Sequence, residues 1–332
     1  MHTRENALHE WLNTVVTHPS YSLTSLAGDA SFRRYYRLQS EGVSYVVMDA
    51  PPPAESIQPF LLVAKTLMKA DLHVPIIFAV EPDQGFILLE DLGDQVFLKT
   101  LTTMNADKLY KLAMDAIHQL QRCSISTPPL PAFNQIHMQG ELALFRDWFL
   151  GAYLGLELNQ EECDLLDHTF TDLIAQLTNQ QQVFIHRDYH SRNLMVLEHA
   201  HHIELGIIDF QDAMSGPCTY DLVSLLKDCY VQWPREQILT WLSYFYEKMP
   251  APSRGTLSAF CRDFDLTGLQ RHLKVLGIFC RLSLRDHKHV YLNDLPLTLH
   301  YVMDCLENYT ELHAFYHFMQ SKVQPLFMEK HA

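Results

Sequence analysis

Ile185-His186-Arg187-Asp188-Tyr189-His190-Ser191-Arg192-Asn193-Leu194, followed by Ile207-Ile208-Asp209-Phe210, is the stretch on which the reading of this chain turns. An apolar run leads into His-x-Asp, an Asn stands five residues after that Asp, and a second Asp closes another apolar run 16 residues beyond the Asn. Phosphoryl transfer asks for such a loop: one carboxylate to orient and deprotonate the attacking hydroxyl, and an amide oxygen plus a second carboxylate to hold Mg²⁺ against the phosphates. Asp188 is therefore assigned as the base, and Asn193 and Asp209 as metal ligands. Singly, each is also an ordinary loop former. The assignment rests on the whole constellation with its flanking strands.

Before this loop, from Tyr21 to Glu90, short β-rich runs alternate with turns. Tyr21 to Leu26 and Phe32 to Leu38 flank Gly28-Asp29-Ala30-Ser31 as a hairpin, and Tyr45 to Met48 forms a third run that ends at Pro51-Pro52-Pro53. Phe60, Val63, Ala64, Leu67 and Met68 recur at helical spacing, and Pro75 to Val80 and Gly85 to Glu90 complete a unit of five strands and one helix. Beyond Asp94 helical periods dominate, at Leu109 to Leu120, Glu141 to Leu154, Glu161 to Leu177 and most of the chain after Tyr220. One β-rich insert interrupts them, made of residues 183–185, 194–196 and 203–208. The expected fold is α+β with two lobes: a small antiparallel β lobe, residues 1–93, that binds nucleotide, and a larger, mostly helical lobe, residues 94–332, that carries catalysis and substrate.

The chain has 332 residues, 48% of them hydrophobic and 19% charged, which fits about two folding units and excludes a disordered or repetitive chain. Lys and Arg number 25 against 39 Asp and Glu, a formal charge of -14. That field repels nucleic-acid backbones and anionic membranes, so neither is an expected partner. The seven cysteines include no C-x-x-C pair, and the N-terminal residues lack the apolar core of a signal peptide, so a reducing cytoplasm is the expected setting. His199-Ala200-His201-His202 lies between two short runs with no Cys at ligand spacing, and reads as a solvated hairpin tip.

The catalytic stretch, together with Gly216-Pro217-Cys218-Thr219-Tyr220-Asp221-Leu222, resembles the aminoglycoside phosphotransferase and choline kinase group of small-molecule kinases. The resemblance runs from about Gly28 to Asp228 and implies a protein-kinase-like fold with ATP and Mg²⁺ as cofactors. It implies that Gly28 and Ser31 cover the phosphates, that Glu90 and Leu92 offer hinge backbone to the adenine edge, and that Asp221 braces the catalytic loop. One part of the pattern is missing. The third run puts Met48 where a kinase carries its phosphate-binding Lys, and no Lys lies between Glu41 and Lys65. Arg33 is the expected substitute, which leaves Glu55, at the start of the following helix, without an evident partner.

Further segments resemble the bacterial anomeric amino-sugar kinases of cell-wall recycling. They are Gly28 to Arg37, Met48-Asp49-Ala50-Pro51-Pro52, Leu89 to Asp94, Phe145-Arg146-Asp147-Trp148-Phe149 and the region from Arg271 to Pro296. The resemblance implies a kinase that phosphorylates the anomeric hydroxyl of N-acetylmuramate and N-acetylglucosamine in peptidoglycan recycling, with ATP and the amino sugar as its small-molecule partners. Arg271, Lys274, Arg281 and Arg285 fall within about 80° on one helical face. Such a stripe is commonly solvated, but if it lines the cleft, Arg281 and Arg285 are candidates for a substrate carboxylate, with Arg146 a further candidate. Two other readings stand beside this one: a phosphotransferase for aminoglycosides or other small alcohols, which the acidic charge would suit, and a nucleotide-binding pseudokinase scaffold, which the missing Lys would suit.

Overall fold

The β-rich runs between Tyr21 and Glu90 pair into one five-stranded antiparallel sheet. The computed structural model of the chain describes residues 3–17, 20–26, 32–251 and 254–331. Its elements begin with α1 (Arg4–Val15), β1 (Ser22–Leu26), β2 (Arg34–Ser40), β3 (Val43–Asp49), α2 (Gln58–Lys69), β4 (Ile77–Glu81), β5 (Phe86–Glu90) and α3 (Phe97–Thr100). There follow α4 (Ala106–Leu120), α5 (Gln135–Leu144), a π-helical segment (Phe145–Tyr153), α6 (Gln160–Asn179), β6 (Gln182–Ile185), β7 (Leu194–Glu198), β8 (Ile203–Ile207) and β9 (Met214–Pro217). Next come α7 (Tyr220–Leu226), α8 (Arg235–Lys248), α9 (Leu257–Leu284) and α10 (Leu295–Asn308), followed by the short helices α11 (His313–Phe318) and α12 (Gln324–His331).

The chain divides into two compact units. One is 1–100 with 192–212, and the other is 101–191 with 213–332. This differs from a single cut at 93/94, because the β7–β8 hairpin joins the first unit. Bridges from Val96 to Met195 and from His73 to Gly206 fasten it there. These are contacts between residues far apart in sequence, so strand periodicity alone does not reveal them.

In the first unit the sheet runs in the order β1-β2-β3-β5-β4. Tyr35 pairs with Met48 and Met48 with Ile87, while Arg37 pairs with Val46 and Val46 with Leu89. The two-residue period of a strand puts these six side chains on one face. Leu38, Val47, Phe86 and Leu88 form the other face, which Leu8, Trp11 and Leu12 of α1 cover. Helix α1 lies outside the one-helix unit expected from the sequence. Its apolar positions 8, 11, 12 and 15 do recur at helical spacing.

The second unit is organised around α9, whose 28 residues span about 42 Å at 1.5 Å per residue. Nearly all of it from Phe264 to Ser283 is buried, against α5, α6, α7, α10 and the π-helical segment. The helix expected from Glu141 to Leu154 forms without interruption, but its hydrogen bonding changes from α to π at Phe145, a break in pattern rather than in the helix. At the break Gly277 of α9 meets the Leu144 and Phe145 backbone so closely that a Cβ there would lie 2.2 Å from the Leu144 carbonyl carbon. Only a glycine allows the two helices this approach. Among the described residues no helix is long and apolar enough to cross a membrane.

Two helix glycines should therefore respond oppositely to alanine. Gly277→Ala is expected to lower stability by about 1–3 kcal/mol through overpacking against backbone that cannot yield. Gly140→Ala, exposed in α5 with nothing near its Cβ position, should raise it by up to about 1 kcal/mol. Thermal unfolding of the two variants checks both signs.

Candidate active site

The catalytic loop leaves β6 and is held from beneath by two buried carboxylates. Asp221, in the first turn of α7, accepts the His186 N–H at 2.7 Å and the Arg187 N–H at 3.0 Å. Asp228 accepts the Ser191 N–H at 2.9 Å and also the Ser191 hydroxyl. Burial pushes the Asp221 carboxyl up to about 6, while His186 and the two N–H bonds pull the other way. Arg187 sits at φ +76, left-handed backbone uncommon for a residue with a side chain. The two N–H bonds to Asp221 come from this strained residue and the one before it, and fix the backbone as it enters the left-handed conformation.

Asp188 follows at once, its side chain 37% exposed. Burial of the group opposes ionisation, but Lys274, His190, Arg271 and Arg187 together hold its carboxyl well below the usual carboxylate range. Arg271 Nη2 lies 4.0 Å from Asp188 Oδ1 and donates to Ser224 Oγ at 2.7 Å. Glu141 of α5 gathers the remaining charge: it accepts from Arg187 at 2.7 Å and from Gln270 at 3.0 Å, with Lys274 at 3.8 Å. Arg271 and Lys274 are 4% and 7% exposed. Cations buried to this degree need facing carboxylates, and here Asp188 and Glu141 supply them.

The basic stripe of α9 is thus not uniform. Its N-terminal half is buried beside Asp188, and Arg285 at the other end is exposed and paired with Asp286 at 2.8 Å. Arg281 lies about 15 Å along the helix from Arg271. It is half-buried, its Nε has no hydrogen-bond partner, and burial followed by the neighbouring Arg285 depresses its pKa. The sequence placed all four cations in one stripe but singled out Arg281 and Arg285 rather than Arg271 and Lys274, because periodicity gives the face of a helix and not the depth at which each position lies. Arg146, partly exposed, pairs with the exposed Asp167 and lies over the Phe170 ring at 5.7 Å, while its Nε, like that of Arg281, has no hydrogen-bond partner.

The first unit contains a cavity of about 410 Å³. Leu26, Val46, Phe60, Leu89, Met195 and Phe210 give it apolar walls, residues 90–94 form one rim, and Asn193 and Asp209 also line it. Its size and its mix of apolar walls with a few polar groups suit a small ligand. The rim is rigid. Asp91 accepts two bonds from Arg37, at 2.6 and 3.0 Å, one from Ser44 and one from the Gly93 N–H. Burial raises its pKa, but these donors outweigh burial and hold it low. The Glu90 N–H is taken by the Ile76 carbonyl at 2.8 Å, so that group is not open to a ligand. Leu92 packs over Gly206, where a Cβ would come within 2.6 Å of its Cδ1.

Asn193 Nδ2 donates to Asp209 Oδ2 at 3.2 Å, and Gln211 donates to Asp209 Oδ1 at 2.8 Å. Asp209 sits at φ +61, and the Ile208 N–H bonds to the Asn193 carbonyl at 3.1 Å. Here the Asn193 amide nitrogen faces the carboxylate, and the Asp209 oxygens and the Asn193 amide oxygen are of the kind that a hard divalent cation such as Mg²⁺ takes as ligands.

Gly28 and Ser31 lie outside the described residues. Arg33, just before β2, forms an ion pair with Glu55 at 2.9 Å, both side chains largely buried. Glu55 therefore has the partner that its sequence context did not reveal. The pair stands next to Tyr35, whose hydroxyl pKa is raised first by burial and then by Asp209, with Arg33 acting in the opposite sense. Met48 is fully buried across from Tyr35.

A family model described as "Phosphotransferase enzyme family" matches residues 22–255. An N-acetylmuramate/N-acetylglucosamine kinase of Pseudomonas putida is 41% identical over 297 residues, 89% of this chain and 86% of that protein. One of Neisseria meningitidis is 38% identical over 320 residues, 94% of each chain. Among solved structures, an ethanolamine kinase of Plasmodium vivax superposes with a TM-score of 0.64 at 11% identity, covering 89% of this chain and 86% of that one. An ADP-bound aminoglycoside phosphotransferase gives 0.61 at 15%, covering 89% and 97%. These structures show a kinase-like fold: a small antiparallel sheet with a larger helical region, as the sequence led us to expect.

Lys274, with Arg271 beside it, is among the buried cations that hold the Asp188 carboxyl low. Its replacement in Lys274→Met should raise the Asp188 pKa, so the acid limb of the kcat profile should move to higher pH than in the wild type. An unmoved limb in pH-rate measurements would show that Lys274 does not act on Asp188.

Proposed function

Because the chain belongs to the phosphotransferase enzyme family, we propose that it is an ATP-dependent kinase acting on the anomeric hydroxyl of N-acetylmuramate and N-acetylglucosamine. The shared name of relatives near 40% identity across most of the chain carries this reading. Peptidoglycan recycling in the cytoplasm is the setting such substrates imply.

In this reading the cavity of the first unit takes the nucleotide, with its apolar walls against the base and Leu92 offering backbone at the rim. Asn193 and Asp209 would hold Mg²⁺, which when bound neutralises phosphate charge. Arg33, buttressed by Glu55, supplies the cation that Met48 cannot, facing the α- and β-phosphates. Gly28 and Ser31 are proposed to cover the phosphates. Asp188 accepts a hydrogen bond from the sugar hydroxyl, aims its oxygen lone pair at the γ-phosphorus and receives the proton as the sugar oxygen bonds to phosphorus and the bond from phosphorus to the β,γ-bridging oxygen breaks, releasing ADP. An anomeric hydroxyl is more acidic than the other sugar hydroxyls, so a carboxylate kept ionised by its neighbours is an adequate acceptor. Most of the acceleration then comes from positioning and charge neutralisation. Arg281 is proposed to meet the lactyl carboxylate of N-acetylmuramate. Arg285 and Arg146 are weaker candidates, since each already has a carboxylate partner.

The acidic charge of -14 favours a second reading, a kinase of polycationic aminoglycosides. A coupled ADP-release assay with N-acetylmuramate, N-acetylglucosamine and kanamycin separates the two. Turnover of either sugar supports the first reading, and turnover of kanamycin alone overturns it.

Three variants test the roles. Asp188→Asn should keep the fold and nucleotide binding while turnover falls by about 10²–10⁴; turnover close to wild type would remove Asp188 from the chemistry. Arg33→Ala should weaken ATP binding or slow transfer far more than the volume-conserving Met48→Leu, since only a cation offsets phosphate charge. Equal, small effects in steady-state kinetics would assign that charge to another group. Arg281→Ala should lower kcat/KM for N-acetylmuramate by about 10- to 150-fold, the worth of a charge-assisted bond, and leave N-acetylglucosamine unchanged. Parallel losses for both sugars would make Arg281 scaffold.

A further inference from the structure

The tip of the β7–β8 hairpin carries a cluster that phosphoryl transfer does not use. From the sequence, residues 199–202 read as a solvated turn. The fold adds Glu204, which the sequence reading did not connect to them. The His199 N–H bonds to the His202 carbonyl at 2.9 Å, closing the turn and stacking the two rings at 4.6 Å and 19°. Glu204 follows in β8, its Oε2 3.4 Å from His199 Nε2. One ligand atom from each of His199, His202 and Glu204 lies within 4.8 Å of the others.

We propose that His199, His202 and Glu204 form a binding site for a borderline divalent metal ion of the Zn²⁺ class. Two imidazoles and one carboxylate are a common Zn²⁺ donor set, and a tetrahedral ion with bonds near 2.0–2.1 Å sets its ligand atoms about 3.3 Å apart. The His199–Glu204 separation already matches that edge. Imidazole donors favour Zn²⁺ over Mg²⁺ or Ca²⁺, which prefer all-oxygen sites. The carboxylate ligand is itself oriented. His73 Nδ1 lies 3.2 Å from the same Glu204 oxygen, and His73 Nε2 lies 3.3 Å from Glu90. The His73 carbonyl accepts the Ile207 N–H at 2.8 Å, which anchors His73 beside β8. Outer partners of this kind fix ligand geometry at metal centres. An ion held there would clasp the tip of the hairpin whose other end carries Asn193 and Asp209.

The test is calorimetric titration of the chelator-stripped full chain with ZnCl₂ in excess Mg²⁺, together with thermal unfolding, neither of which depends on activity. Wild type should bind one equivalent, and Tm should rise by about 2–4 °C at saturating ion. The His199→Ala/His202→Ala double variant should lose that equivalent and the Tm rise while unfolding at the wild-type temperature without Zn²⁺. His73→Ala should weaken binding by about 10- to 100-fold, as loss of an outer partner does. Equal Zn²⁺ affinity in wild type and the double variant, or no binding by wild type at millimolar ZnCl₂, would overturn the proposal.

Discussion

The catalytic loop turns its backbone N–H groups inward, and the structure depends on two buried carboxylates to receive them. Asp221 takes those of His186 and Arg187, and Asp228 takes that of Ser191. Without these acceptors the donors would be buried and unmet, at about 1–3 kcal/mol each. With them, Arg187 can occupy a left-handed conformation and Asp188 is presented at a fixed point beyond it. Burying Asp221 has its own cost, visible in its raised pKa. The loop geometry is thus obtained at some expense of stability.

Charge is then distributed around Asp188 in layers. Arg271 and Lys274 keep it ionised, while Glu141 balances the surplus through Arg187 and Lys274. The same logic recurs in the first unit, where Arg33 is paired with Glu55 and Arg37 with Asp91. No strand cation stands at Met48, and the cation–carboxylate pair of this unit is instead Arg33, just before β2, with Glu55.

Much of this was legible in the sequence because the decisive residues lie close together along it. Asp188, Asn193 and Asp209 span a short segment, so spacing alone exposes their pattern, and β-rich runs broken by turn residues mark β1 to β5. What stayed hidden depends on contacts between distant residues. The transfer of 192–212 to the first unit rests on bridges from His73 and Val96. The partner of Glu55 is Arg33, brought near it by the pairing of Arg34 with Asp49 at the open end of the β2–β3 hairpin. The split of the α9 stripe into buried and exposed halves depends on what packs on the helix. The His199–His202–Glu204 cluster needed a hairpin to bring Glu204 back beside the turn.

The central claim is that a carboxylate held ionised at Asp188 directs phosphate onto the anomeric oxygen of an amino sugar. Phosphorus NMR of the product formed from ATP, Mg²⁺ and N-acetylmuramate tests it most directly. The account predicts one sugar phosphate whose phosphorus couples to the anomeric proton, and no such product with Asp188→Asn over the same interval. Phosphate on any other hydroxyl, or release of inorganic phosphate alone, would contradict it.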